Sequence, residues 1–164
     1  MEGYKEYMVK KRTTGKDKGV RVLFWVLIAL SAAGAIVLLM PPFFLVTVCL
    51  YMVYRYLVYP LTDLEYEYLY VDRQLTVSKV MAKERRKDLE VLDLDKVEIL
   101  APSNSYRLAE YKNRELKISP YWSLEEDHVP YVMIYEGGRK ILLDLTEDFV
   151  KIIQNNAPRK VFLD

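Results

Sequence analysis

Residues 20–59 read VRVLFWVLIALSAAGAIVLLMPPFFLVTVCLYMVYRYLVY, and this apolar run decides the architecture. Its first part, residues 20–40, rises about 1.5 Å per residue as a helix and so reaches roughly 30 Å, the thickness of a bilayer's hydrocarbon core. The second part, residues 43–59, is slightly shorter and ends in a tyrosine-rich stretch suited to the membrane interface. Pro41 and Pro42 cannot continue the first helix, because each ring removes an amide donor and clashes with the preceding turn. The sequence therefore predicts a hairpin of two membrane-spanning helices with a tight turn at Met40-Pro41-Pro42-Phe43. A cleaved signal has a shorter apolar core followed by polar sequence; here a second apolar run follows, so the segment reads as an anchor.

Outside the hairpin the chain is strongly charged, and the mean hydropathy of −0.03 merely averages the two regions. Lys5, Lys10, Lys11, Arg12, Lys16 and Lys18 precede the first span, whereas the predicted turn carries no basic residue. This bias places the amino terminus in the cytoplasm, and two crossings return the chain to the same side. The expected layout is a basic cytoplasmic tail (1–19), a transmembrane hairpin (20–59, helices 20–40 and 43–59) and a cytoplasmic domain (64–164) at the plasma membrane, with both termini inside. Arg55 lies near enough to the end of its helix to snorkel to the headgroups. The small residues Ala29 and Ala33, or Ser31 and Ala35, lie one turn apart and permit close helix packing. No carboxylate, histidine or amide lies between Val22 and Tyr54, which argues against a transport path through this hairpin alone. Cys49 has no partner cysteine, so no disulfide is expected.

Past Pro60 the periodicity changes from helical to alternating. Leu64, Tyr66, Tyr68 and Tyr70 share one face of a strand; Asp72-Arg73 reads as a turn, and Leu75 and Val77 continue on an antiparallel partner. A third strand is expected over 86–92, and a turn or strand from Leu94 that stops at Pro102. Tyr106 to Tyr111 and Glu115 to Ile118 read as short strands, and 120–130 as an irregular connection. Gly137-Gly138 separates two β-rich runs, Tyr131 to Glu136 and Arg139 to Leu145, and both glycines can adopt the positive φ of a type I′ hairpin turn. Thr146 offers an N-cap, Glu147 and Asp148 suit the first turn, and Phe149, Ile152 and Ile153 form a helical stripe. The fold class is α+β: a strongly bent antiparallel sheet or barrel capped by one carboxy-terminal helix.

Three segments carry a likeness to a known family: Tyr70-Val71-Asp72-Arg73-Gln74-Leu75-Thr76-Val77, Leu92-Asp93-Leu94-Asp95-Lys96-Val97-Glu98, and Thr146-Glu147-Asp148-Phe149 running into Ala157-Pro158-Arg159-Lys160-Val161-Phe162. With the early Tyr7-Met8-Val9-Lys10-Lys11, the chain resembles bacterial pleckstrin-homology-like domains attached to small membrane proteins of Gram-positive bacteria. The resemblance implies a barrel of about seven strands capped by a helix, without a reaction or a ligand.

Chemistry-bearing motifs are scarce. The chain has no Cys pair and no HExxH, GxSxG, P-loop or Rossmann glycine pattern, and no cofactor or metal is expected. His128, the one histidine, stands beside Glu125, Glu126 and Asp127 and reads as a surface residue. The tyrosines of the strands read mainly as core. A net charge of +1 gives no reason to expect nucleic acid. The candidate contacts for anionic lipid headgroups or another anionic ligand are Lys10, Lys11 and Arg12 in the tail, and Lys79, Lys83, Arg85, Arg86 and Lys87 around a strand connection. The plain alternatives are a topology signal for the first group and a solvated strand face for the second, where Glu84, Asp88 and Glu90 interleave. The expected function is a noncatalytic, membrane-anchored interaction module that presents its cytoplasmic domain to a protein partner or anionic lipid; the alternative is an accessory subunit of a membrane enzyme or transporter complex.

Overall fold

The computed structural model describes residues 4–38, 41–125 and 128–163. Leu39 and Met40, in the predicted first span and turn, and Glu126 and Asp127, beside His128, lie outside the described residues. The chain divides into two compact units, one formed by residues up to Arg12 with 65–80 and those from Arg86 onward, the other by 13–64 and 81–85.

The helical unit begins at a cap. Thr14 Oγ1 accepts from Asp17 N (3.3 Å) while Asp17 Oδ2 accepts from Thr14 N (2.9 Å), a reciprocal closure of free amides. Helix α1, Gly15–Leu38, thus starts before the apolar run does. Helix α2 runs Pro41–Thr62. Instead of forming the turn, the prolines open this helix, where a missing amide donor costs nothing. Both helices are long and apolar enough to cross a membrane. Ser31 and Thr47 hydroxyls lie 2.9 Å apart and both donate to Phe43 O; Gly34 packs against the Phe43 ring, which a Cβ there would meet at 3.2 Å. The contact stripe is therefore Ile28, Ser31 and Gly34, while Ala29 and Ala33 face outward. Residues Tyr54–Val58 form a π-helical turn. It contains Arg55, which pairs with Glu84 at 2.9 Å. Arg21 donates from Nε to Thr62 Oγ1 (2.7 Å), and both guanidiniums approach the Tyr59 ring, at 5.4 and 5.7 Å. Such cation–π contacts suit charges at the end of an apolar span.

Among the described residues the β unit holds eight strands: β1 Lys5–Lys10, β2 Leu64–Val71, β3 Gln74–Met81, β4 Arg85–Asp93, β5 Val97–Pro102, β6 Lys117–Tyr121, β7 Tyr131–Tyr135 and β8 Arg139–Leu143. They form two four-stranded sheets, in the orders β1-β2-β3-β4 and β5-β7-β8-β6. The β2–β3 turn has positive φ at Asp72 (48°) and Arg73 (64°). Without glycine this conformation is costly. It is held by the Arg73–Asp95 ion pair (2.7 Å) and by Leu94 N donating to Arg73 O (2.9 Å). Gly137 and Gly138 have φ of 82° and 72°, the predicted hairpin turn.

Helix α3, Glu147–Asn156, begins where Thr146 Oγ1 accepts from Phe149 N (3.4 Å). It buries Phe149, Val150 and Ile153 against Tyr68, Tyr70, Leu75, Val77, Leu92, Met133, Ile141 and Leu143, residues drawn from both sheets. Each large side chain so buried contributes about 1.5–3 kcal/mol. Tyr66, Tyr68, Tyr70, Tyr131 and Tyr135 are all buried, as expected of core tyrosines.

Three expectations change. Lys5 to Lys10, read as tail, pair antiparallel with β2, from Lys5↔Tyr70 to Lys10↔Glu65. Their alternation is visible only once Tyr7 and Val9 find the core they pack against. Tyr106–Tyr111, read as a strand, is a 3₁₀ helix capped by Ser105, whose Oγ accepts from Arg107 N at 3.3 Å; short polar side chains of this kind divert the backbone from sheet. The strand expected at 115–118 forms later, over Lys117–Tyr121, and pairs parallel to β8, so the second sheet is mixed rather than antiparallel.

Candidate functional site

The predicted basic residues do not form one group. Arg86 Nη1 lies 3.0 Å from Glu67 Oε1, a nearly buried carboxylate, and its Nε lies 3.7 Å from Asp88 Oδ1. Lys83 and Arg85 are exposed and belong to the helical unit. Lys10 is exposed on β1 opposite Glu65. Arg12 is tied down by its backbone, N donating to Ser123 O at 2.7 Å. The interleaved acids are also engaged: Glu84 with Arg55, Asp88 with Ser78 Oγ (2.6 Å), Glu90 with Arg139 (3.0 Å).

Three lysines remain, and strand geometry brings them together. The Ser78–Asp88 bond joins β3 and β4 on one face, so the next residues toward the hairpin, Lys79 and Lys87, oppose each other on the other face. That face also carries Leu75 and Val77, both fully buried. The two-residue turn after Val71 sets Tyr66 beside Lys79, and Val9 pairs with Tyr66. Lys11 continues the inward alternation of Tyr7 and Val9, one residue beyond β1. Lys79 is half-buried; burial, and then the neighbouring Lys11 and Lys87, lower its pKa from the ordinary lysine value. Like charges facing each other across a sheet destabilise it. A depressed lysine pKa contributes stability only above the ordinary value and loses it as pH falls, so protonated Lys79 opposes folding at neutral pH.

A second polar cluster was missed from sequence. Asp144, directly after β8, is buried. Its Oδ1 meets His128 Nε2, its Oδ2 accepts from Ser123 N (3.2 Å), and its own N donates to Tyr68 Oη (3.1 Å). Tyr68 in turn donates to Tyr121 O, and burial, the largest cause, raises its pKa far above the usual phenol range. His128 is thus a partly exposed cap on a buried carboxylate, that of Asp144. Although serine, histidine and aspartate meet here, the Ser123 hydroxyl accepts from Glu125 N at 3.3 Å and the carboxylate stands between serine and histidine. No activated nucleophile results. No signal in the spacing marks Asp144; it meets Ser123 and His128 only through tertiary contacts. Among the described residues no cluster of three metal-ligating side chains occurs.

Glu67 shows the cost of burying charge. Desolvation raises its pKa and Arg86 only partly offsets this. A raised carboxylate pKa means stability that is present at low pH and lost as pH rises through the folded value. Glu67→Gln therefore leaves stability at pH 7 within about 1 kcal/mol of the original or increases it, and the difference disappears below the carboxylate range. Chemical denaturation at the two pH values measures this; a large loss at pH 7 contradicts it.

Two four-stranded sheets packed with a carboxy-terminal helix, together with two helices of membrane length, define an α+β protein of the PH-like class. Its sequence matches the model of the bacterial PH-like domain (DUF6106) over residues 1–163, and the chain belongs to that family. No curated protein and no solved structure matches it.

Proposed function

We propose that the protein is a noncatalytic, membrane-anchored interaction module of the plasma membrane, with both termini in the cytoplasm. The observation that carries this reading is the pairing of β1 with β2. These strands flank the hairpin in sequence, so the chain leaves one sheet at residue 10 and re-enters the same sheet at residue 64, and a hairpin between them crosses a bilayer an even number of times. The basic residues before α1 orient those crossings with the sheets inside. The absence of a nucleophile relay at Ser123–Asp144–His128 supports binding over catalysis.

Single cysteines at residues 4 and 163, in a Cys49→Ala background, test the topology. An impermeant maleimide labels both only after cells are permeabilised. Labelling of either one in intact cells overturns the reading.

A second reading, an accessory subunit within a membrane complex, is favoured by the apolar hollow along α2 lined by Pro41, Phe44, Leu45, Val48, Cys49 and Met52. Photocrosslinkers at Leu45 and Met52 that capture one stoichiometric polytopic protein support it; capture of lipid alone speaks against it.

A further inference from the structure

We infer that Lys11, Lys79 and Lys87 form a binding site for a phosphate-bearing anion of two or more negative charges. The inference rests on the reading of this domain as a binding module and deepens it by assigning a ligand class. Three observations carry it. The three side chains come from different parts of the sheet, the end of β1, β3 and β4, and lie on the same side of it at one end, Lys11 and Lys79 partly buried and Lys87 exposed. The row Val9, Tyr66, Lys79, Lys87 runs across all four strands, so an apolar and an aromatic residue flank the two lysines on one side of the row. The acids closest in sequence are already engaged: Asp88 on the opposite face with Ser78 and Arg86, Glu90 with Arg139, and Glu84 with Arg55.

The chemistry of the ligand follows from this arrangement. Three ammonium groups offer up to nine N–H donors and no acceptor, and a single carboxylate balances only one of the charges. A phosphate or pyrophosphate group brings two or more charges and several acceptor oxygens in a small volume, and lysine serves such groups as a mobile point charge. A long polyanion is disfavoured, because the three lysines form one focus at the sheet end rather than a stripe, on a chain of net charge +1. Lys11 is held in place by the Arg12 N to Ser123 O bond beside it. The ligand-free arrangement opposes folding, since Lys79 is half-buried among like charges; a bound anion reverses that term and raises stability by mass action.

Phosphate oxygens reach this site either from a free anion or from a lipid headgroup, and two arms separate the sources. The full chain in nanodiscs of phosphatidylcholine is titrated with pyrophosphate at low ionic strength, with affinity read by calorimetry. In parallel, the thermal midpoint is compared between phosphatidylcholine nanodiscs and nanodiscs that also contain a phosphatidylinositol phosphate. Binding of pyrophosphate without a lipid-dependent rise in midpoint identifies a free anion; a lipid-dependent rise in midpoint, with or without pyrophosphate binding, identifies a headgroup.

In whichever arm responds, Lys11→Met, Lys79→Met and Lys87→Met each weaken the response at least fivefold. Lys79→Arg retains it within about threefold, and Lys112→Met, a change at an exposed loop lysine, leaves it unchanged. Lys79→Met also raises the ligand-free midpoint, which shows that its loss of binding is not a loss of fold. The inference is overturned by no response in either arm, by losses below fivefold at the three lysines, or by equal losses for Lys112→Met. Tighter binding of a polyglutamate peptide than of pyrophosphate overturns it as well. The maleimide topology experiment does not depend on these lysines, so the two readings fail separately.

Discussion

Deletion of residues 1–12 abolishes the cooperative unfolding of the β unit. The segment contributes the whole of β1, six residues paired with Glu65 through Tyr70. Its loss exposes the backbone of β2 as a new edge and removes Tyr7, which stacks on Tyr68 with ring centroids 6.4 Å apart, and Val9. Two partly buried apolar side chains and the ladder together amount to several kcal/mol, against a total stability for such a domain of roughly 5–15 kcal/mol. The exposed β2 edge also becomes a template for association. Amide exchange of the full chain and the deletion in detergent micelles measures the effect: protection at Tyr66, Tyr68 and Tyr70 falls to the level of loops. Retention of protection within tenfold shows that β1 is dispensable and removes the main support for a hairpin inserted between paired strands.

The second large effect is at Asp144. Asp144→Ala destabilises the β unit by about 3 kcal/mol or more, because Ser123 N loses its acceptor inside the fold and His128 loses the buried carboxylate it caps. In a thermal melt this corresponds to a fall of roughly 10 °C. Asp144→Asn keeps an acceptor for Ser123 N and loses less. His128→Ala loses less than Asp144→Ala, since His128 is partly exposed and water replaces it against the carboxylate. The order Ala at 144, then Ala at 128, distinguishes a buried hub from a surface pair. Equal losses at the two positions contradict it.

The parts of the fold that were legible in the sequence are those in which local pattern and final environment coincide. The alternation in Leu64-Glu65-Tyr66-Glu67-Tyr68 marks a strand because one side of it is core. Gly137-Gly138 marks a hairpin because positive φ is needed there, and Thr146 marks a helix start because its hydroxyl meets Phe149 N. Where pattern and environment diverge, the sequence misleads. Tyr106 to Tyr111 contains apolar residues, but only Leu108 of the segment is buried, and Ser105 turns the backbone into a 3₁₀ helix. The basic residues 79–87 look like one cluster because they are close in sequence. Strand alternation sends Lys79 and Lys87 to one side and Arg86 to the other, to Glu67, so the cluster divides by face.

By itself, the sequence determined that the chain carries two helices of membrane length and an α+β domain, since hydrophobic length and periodicity are local properties that each segment expresses alone. Tertiary structure decided that residues 5–10 belong to the first sheet, that Lys11 and Lys87 each stand near Lys79, and that Asp144 lies beneath His128. Each of these depends on pairing between segments tens of residues apart or on the path of an irregular connection, and such long-range register leaves no trace in the periodicity of either partner.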